Sequence, residues 1–251
     1  MGRLNGKVAL ITGGGQGVGL GIARAFAAEG SSLMLTGRNE DKLKGVIPAL
    51  EALGVKVGVC AGDARQRSDA DRAVAQAIER FGQLDILVNN AQSSAPGTSL
   101  EDTDEETMRM TIESGLFGTI YHMQVALPHM RERGGSIINF GSREGIIGGV
   151  GFGIYAATKE GIRGVSRVAA REWGKYKIRV NVICPAALSP VAVRYLADHP
   201  DQAEMYRKEI ALGYFGDPQE DIGPVAVFLG SDDSRYVTGQ TINSDGGQVM
   251  L

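Results

Sequence analysis

Cysteine is nearly absent: Cys60 and Cys184 are the only two in 251 residues. Both sit in apolar, strand-like runs and read as small core hydrophobes. Two isolated thiols make neither a disulfide framework nor a metal-ligand pattern. An excess of positive charge is also missing. Lys and Arg number 26 against 29 Asp and Glu, a net charge of −3, with no basic run. That argues against nucleic acid or an anionic membrane as partner. No apolar run approaches ~18 residues, so nothing is expected to span a membrane. The first residues lead straight into a strand-like run, with no apolar leader. Gly2 opens no acylation motif, because Gly6 stands where Ser or Thr is needed. These absences predict a soluble, cytoplasmic protein.

Glycine is what the chain has in excess. Its 36 glycines are about twice the usual ~7% share. They lie between periodic segments, so they read as tight turns and close approaches of backbone. Short β-rich runs fall at 8–11, 33–36, 55–60, 85–89, 136–140 and 178–183, with a last short one at 240–243. Helical patterns fill 17–29, 40–53, 68–81, 103–131, 153–175 and 218–230. Most of the β runs are continuously apolar, as a parallel sheet covered on both faces requires. Strict alternation without repeat or linker predicts a single α/β domain over 1–251, doubly wound around about seven parallel strands. One segment, 186–216, breaks the rhythm. It follows a strand's C-terminal end and holds Tyr195, His199, Tyr206, Tyr214 and Phe215. The position predicts a substrate-binding lid; an ordinary pair of surface helices is the alternative.

The first run leads into T-G-G-G-Q-G-V-G, residues 12–19, and then an alanine-rich helix. Gly13, Gly17 and Gly19, with Gln16 and Val18 between them, form a loop in strand–loop–helix context. Glycines there permit the turn, admit a pyrophosphate against bare backbone, and let helix and strand pack closely. The helix N-terminus adds free N–H groups. At the end of the second run no carboxylate stands ready for a ribose diol. Arg38 follows instead, which suits a 2′-phosphate and favours NADP(H) over NAD(H).

A second motif, G-I-Y-A-A-T-K-E-G, puts Tyr155 and Lys159 at i, i+4 on one helix face. An ammonium nearby favours the phenolate, so a lowered tyrosine pKa and a general acid/base role are expected. Ser142 lies thirteen residues before Tyr155, at a strand's C-terminal end. Its hydroxyl is placed to hold a carbonyl oxygen.

Together these motifs resemble the classical short-chain dehydrogenase/reductases, over essentially the whole chain. The resemblance continues through Asp63, Asn89-Asn90-Ala91, Pro185 and the tail V-T-G-Q-T-I-N-S-D-G-G. It implies a Rossmann-type fold and hydride transfer between a nicotinamide and an alcohol or ketone. Tyr155 would move the proton, Lys159 would bind the ribose and lower the tyrosine pKa, and Ser142 would orient the carbonyl. Asp63 would contact adenine, and Asn90 and Pro185 would border the cofactor. A homotetramer or homodimer through helices 103–131 and 153–175 is also implied.

The chain departs from that pattern in four places. Gln92 replaces a glycine and is expected to contact substrate, as is Tyr195. Arg143 follows the serine directly and suits either an anionic substrate group or an ion pair with Glu144. Ala186 follows Pro185 where glycine is usual. Gly115 stands where the family carries a catalytic asparagine, so the relay is expected to rest on a backbone carbonyl, with Ser114 as a neighbouring hydroxyl. Gly115 and Gln92 also keep open an NADP(H)-binding sensor or scaffold with little turnover.

Overall fold

The apolar runs pair side by side. A computed structural model describes residues 2–188, 193, 196–198 and 200–250. Within them seven strands form one sheet: β1 (Val8–Thr12), β2 (Ser32–Gly37), β3 (Val57–Ala61), β4 (Ile86–Asn89), β5 (Gly135–Phe140), β6 (Ile178–Pro185) and β7 (Thr241–Ser244). Their order is β3-β2-β1-β4-β5-β6-β7 and every pairing is parallel. The helices are α1 (Gly17–Ala28), α2 (Glu40–Glu51), α3 (Arg67–Phe81), α4 (Glu105–Ile112), α5 (Gly118–Met130), α6 (Arg143–Ile147), α7 (Gly153–Trp173), α8 (Pro200–Glu209) and α9 (Gly223–Gly230). None of the described helices is long and apolar enough to cross a membrane.

Strand alternation divides the core in two. Ala9 and Ile11 of β1 pack with Phe26 of α1, Leu43 of α2 and Ala226 of α9. Leu10 points the other way, into a core with Val74 of α3, Met123 of α5 and Ala169 of α7. Both faces are thus covered, and β1 is buried throughout. The chain winds outward in one direction through β1–β3 and in the other from β4. The two halves part between β1 and β4, where Thr12 pairs with Asn89. Loops leaving the carboxyl ends of these strands bound the crevice in which such sheets take ligands.

The helical pattern over 103–131 is not one helix. A π-helical turn, Glu113–Phe117, separates α4 from α5. Gly118 restarts the regular helix in close packing, since a Cβ there would lie 2.9 Å from the Ala64 carbonyl oxygen. The 218–230 pattern likewise opens with a π turn, Pro218–Ile222, capped by the Asp217 side chain.

Candidate active site

The glycine loop is locked to the turn after β4. Thr12 Oγ1 accepts from the backbone N–H groups of Asn90 and Ala91 at 3.0 and 2.9 Å. The Asn90 amide donates back to the Thr12 carbonyl at 3.0 Å. Asn90 therefore braces the loop as well as facing the cavity. Gly13 has φ +67°, and a Cβ on it would lie 2.7 Å from Asn90 Nδ2. A Cβ on Gly19 would fall on the Gly13 carbonyl oxygen. Gln16 sits at the N-cap of α1, yet its side chain makes no capping bond and instead accepts from Lys42 Nζ at 2.8 Å. The first-turn N–H groups stay open to an anion. A cavity of about 430 Å³ runs along this edge, lined among others by Gly17, Val18, Arg38, Asp63 and Tyr155. Bare backbone, an uncapped helix end and an elongated cavity fit a dinucleotide.

At one end of the cavity lie two cations. Arg38 follows β2 and Lys42 lies in the first turn of α2, and neither forms an ion pair among the described residues. Sequence reading missed Lys42, which stands in the first turn of α2 just past the loop that holds Arg38. Asp63 lines the same end. Its carboxylate accepts from Arg65 Nη2 at 2.6 Å and Nε at 2.9 Å, which holds it below the usual carboxylate range.

At the other end β5 delivers Ser142 and α7 delivers Tyr155 and Lys159. Ser142 caps α6, with Oγ accepting from the Glu144 N–H at 3.2 Å, so its own proton is free to be donated. Lys159 is buried, donates to the Phe140 carbonyl at 3.1 Å, and lies 5.4 Å from the centre of the Tyr155 ring. Burial pushes its ammonium down to about 8. Tyr155 moves opposite to expectation. Burial raises its pKa, Glu144 adds to the rise, and a hydrogen bond with Ser142 opposes it. Lys159 is not among the groups that move it, so desolvation dominates. Without cofactor the tyrosine therefore holds its proton.

A buried polar chain sets the height of α7 on the sheet. Asn89 Nδ2 donates to Asn139 Oδ1, and Asn139 Nδ2 to Ser166 Oγ, both at 2.8 Å. This ties β4, β5 and α7 together. Sequence reading passed over it; the one sign was an asparagine at or next to the C-terminal end of two apolar runs, Asn89 and Asn139.

Two residues expected to contact substrate have partners within the protein. Gln92 turns inward, where Nε2 donates to the carbonyls of Ser93 at 2.7 Å and Thr111 at 3.0 Å. Buried carbonyls needing donors outcompete an exposed pose. Arg143 gives Nη1 to Glu144 at 2.8 Å and Nη2 to Glu209 of α8 at 2.6 Å, so both its ends already hold carboxylates. Ser114 Oγ donates to the Met110 carbonyl at 2.7 Å and accepts from Ser93 N at 3.0 Å, which occupies the hydroxyl named as a substitute. Gly115 is buried within the π turn. Pro185 ends β6 opposite Ser244 and is not itself among the residues that line the cavity. Tyr195 and His199 lie outside the described residues.

Comparison with known proteins agrees with this geometry. A family model described as enoyl-(acyl carrier protein) reductase matches residues 13–248. A 12α-hydroxysteroid dehydrogenase of Clostridium sp. is 45% identical, over 98% of each chain. The trans-4-hydroxycyclohexanecarboxylate dehydrogenase of Sinomonas cyclohexanicum is 35% identical, over 98% of this chain and 94% of its own. The crystal structure of a levodione reductase superposes with a TM-score of 0.93 at 31% identity, over 98% of both chains. The chain belongs to the short-chain dehydrogenase/reductase family, NAD(P)-dependent oxidoreductases that act on CH–OH groups.

Proposed function

We propose that the protein interconverts a secondary alcohol and a ketone with NADP(H), and that the alcohol sits on an alicyclic ring, a hydroxysteroid being the first candidate. The observation that carries the reaction is the meeting of Ser142, Tyr155 and Lys159 at the sheet edge, beside a cradle for a dinucleotide. A bound nicotinamide supplies or accepts the hydride. Tyr155, protonated at rest, gives its proton to the carbonyl oxygen in reduction and takes it back in oxidation. The Ser142 hydroxyl holds that oxygen, and the Lys159 charge favours the phenolate as it forms. Arg38 and Lys42, neither ion-paired among the described residues, support the choice of NADP(H).

The ring-bearing substrate rests on two supports. Two of the relatives are named for hydroxylated steroid or cyclohexane substrates. In this chain Leu100, Ile147 and Val150 are 65%, 49% and 98% exposed, and they flank the start of the helix that carries Tyr155. Such apolar surface beside a cavity suits a bulky apolar ligand.

The test is a panel of alicyclic ketones and alcohols followed by NADPH absorbance, with Tyr155→Phe as partner. Turnover is expected on at least one ring ketone. Tyr155→Phe should lower kcat/KM by about 10²–10⁴-fold while NADPH still binds. Full activity in that variant would remove Tyr155 from the proton step, and no turnover on any ketone or alcohol of the panel would leave a cofactor-binding sensor or scaffold.

A further inference from the structure

Tyr155 lines two spaces. One is the long cavity beside the glycine loop. The other is a small recess toward α4, and Tyr155 is the one described residue that borders both. The recess measures about 10 Å³, about the least that admits a single water or hydroxyl. Its polar lining is four threonines, Thr98, Thr103, Thr107 and Thr111. Phe152 and Ile154 add apolar surface, and no charged side chain takes part among the described residues.

The threonines are short of partners. A helical Ser or Thr hydroxyl ordinarily bonds the carbonyl one turn back. Ser114, Thr158 and Ser166 do so, at 2.7, 2.8 and 2.6 Å. Thr107 and Thr111 sit one turn apart on α4 and do not. Their hydroxyls, like that of Thr98, make no hydrogen bond among the described residues. Thr103 alone is engaged, donating to the Ser99 carbonyl at 2.7 Å. Thr111 is 2% exposed, and its hydroxyl is unpartnered yet not sealed in, so the recess is where it opens. Buried hydroxyls left this way are costly, and they persist where they do something. The walls are fixed in advance. Gly97 N–H donates to the Gly151 carbonyl at 3.0 Å, and a Cβ on Gly151 would lie 3.1 Å from Gly97 Cα. Leu100 covers Gly153, where a Cβ would lie 2.8 Å from Leu100 Cδ1. The loop after β4 and the entry to α7 thus close on each other around the recess.

We propose that this recess is a specificity subsite for a second, neutral oxygen of the substrate, a hydroxyl or carbonyl on the same ring system as the reacting carbon. Thr107 and Thr111 can each donate and accept, so either oxygen fits. No charged group is present to balance a carboxylate or phosphate. Phe152 and Ile154 take the ring carbons beside it. The proposal rests on the reading of Tyr155 given under Proposed function.

Matched ketones test it: hydroxycyclohexanones against cyclohexanones carrying methyl at the same ring position. They are run with wild type, Thr107→Val, Thr111→Val and the double variant, since valine keeps the shape and removes the hydroxyl. Wild type should favour its best hydroxyketone over the methyl analogue at least about tenfold in kcat/KM. Each valine should cut that ratio about threefold or more, and the double variant should abolish it. Turnover of the methyl ketones and NADPH affinity by fluorescence should stay within about twofold. Thr111→Val should unfold at the same temperature or higher, because it removes a buried hydroxyl with no protein partner. Lost discrimination without lost stability is a result that a packing role would not give. A wild type indifferent to the ring hydroxyl, or a ratio unchanged in the double variant, would overturn the proposal. So would valine variants that lose stability at constant ratio, the mark of a resident water in the recess. If the double variant fails to fold, the single variants decide. Binding separates this proposal from the reaction itself, through the thermal upshift that each ketone gives NADPH-loaded Tyr155→Phe. If no ketone turns over, the reaction is misread. A larger upshift with hydroxyketones, lost when the valines are added, would still support the recess, and equal upshifts would overturn it.

Discussion

The two ends of the cavity treat positive charge in opposite ways. Arg38 and Lys42 line the cavity with no ion-pair partner among the described residues, and Lys42 needs only Gln16 to fix it. Lys159 is buried, one carbonyl beneath it, with its ammonium driven down to about 8. A cation in water gains or loses an anion with little effect on folding. A cation in the interior weakens the fold, and its charge acts at short range on whatever reacts beside it. One end is built for recognition and the other for chemistry.

The largest effect expected from breaking this contrast is at Lys159. Lys159→Met should cut kcat by about 10²–10⁴-fold. It should also stabilise the cofactor-free protein at pH 7, by up to the order of 3 kcal/mol, from a value near 8 in the fold against 10.5 in the open chain. The folded value lies below the unfolded one, so the fold disfavours the charged form. That destabilisation is fully present below about pH 8 and fades as pH rises toward 10.5. Denaturant unfolding should therefore show the gap between variant and wild type closing between pH 7 and 10. A variant less stable at pH 7 would mean the interior compensates the charge, and the contrast would fail.

The recognition end should respond more mildly and more selectively. Replacing Arg38 and Lys42 together with alanine should raise KM for NADPH about 10–100-fold, the worth of one or two charge-assisted hydrogen bonds. KM for NADH should change little, and thermal stability should hold. An unchanged ratio of the two KM values would remove the basis for a phosphate preference.

These two ends were not equally legible in the sequence. The glycine loop, Arg38, and the Tyr155–Lys159 spacing are local patterns with local causes: a turn, a helix end, one helical step. The sheet was legible for the same reason, since β1, β2, β4 and β5 are built on short apolar runs and β6 alternates Ile178, Val180 and Val182 with polar residues. What was hidden depends on partners far along the chain. The inward turn of Gln92 is decided by the Thr111 carbonyl, 19 residues on. The Asn89–Asn139–Ser166 chain spans three elements. The direction of the Tyr155 shift needed burial, which i, i+4 spacing does not contain. Two glycines in 111–120 hinted at an irregular helix, yet only the packed structure shows that the bulk absent at 115 is supplied by residue 92.

Arg143 sharpens the contrast because it belongs to neither kind. It adjoins Ser142, and its side chain is 18% exposed, less solvated than a surface cation. Unlike Lys159 it is paired, to Glu144 and to Glu209 of α8, and so links the helix capped by Ser142 to the 186–216 segment. A charge already held by two carboxylates has little left for a substrate anion. Arg143→Ala should therefore cost only about 1 kcal/mol of stability, since Glu209 is 39% exposed and can hydrate once released. KM should shift by less than about threefold, and by the same factor for neutral and carboxylate-bearing ketones. A loss confined to carboxylate-bearing substrates would mean that the Glu209 contact opens on binding, and would place a third, anion-reading cation directly beside the reacting carbon.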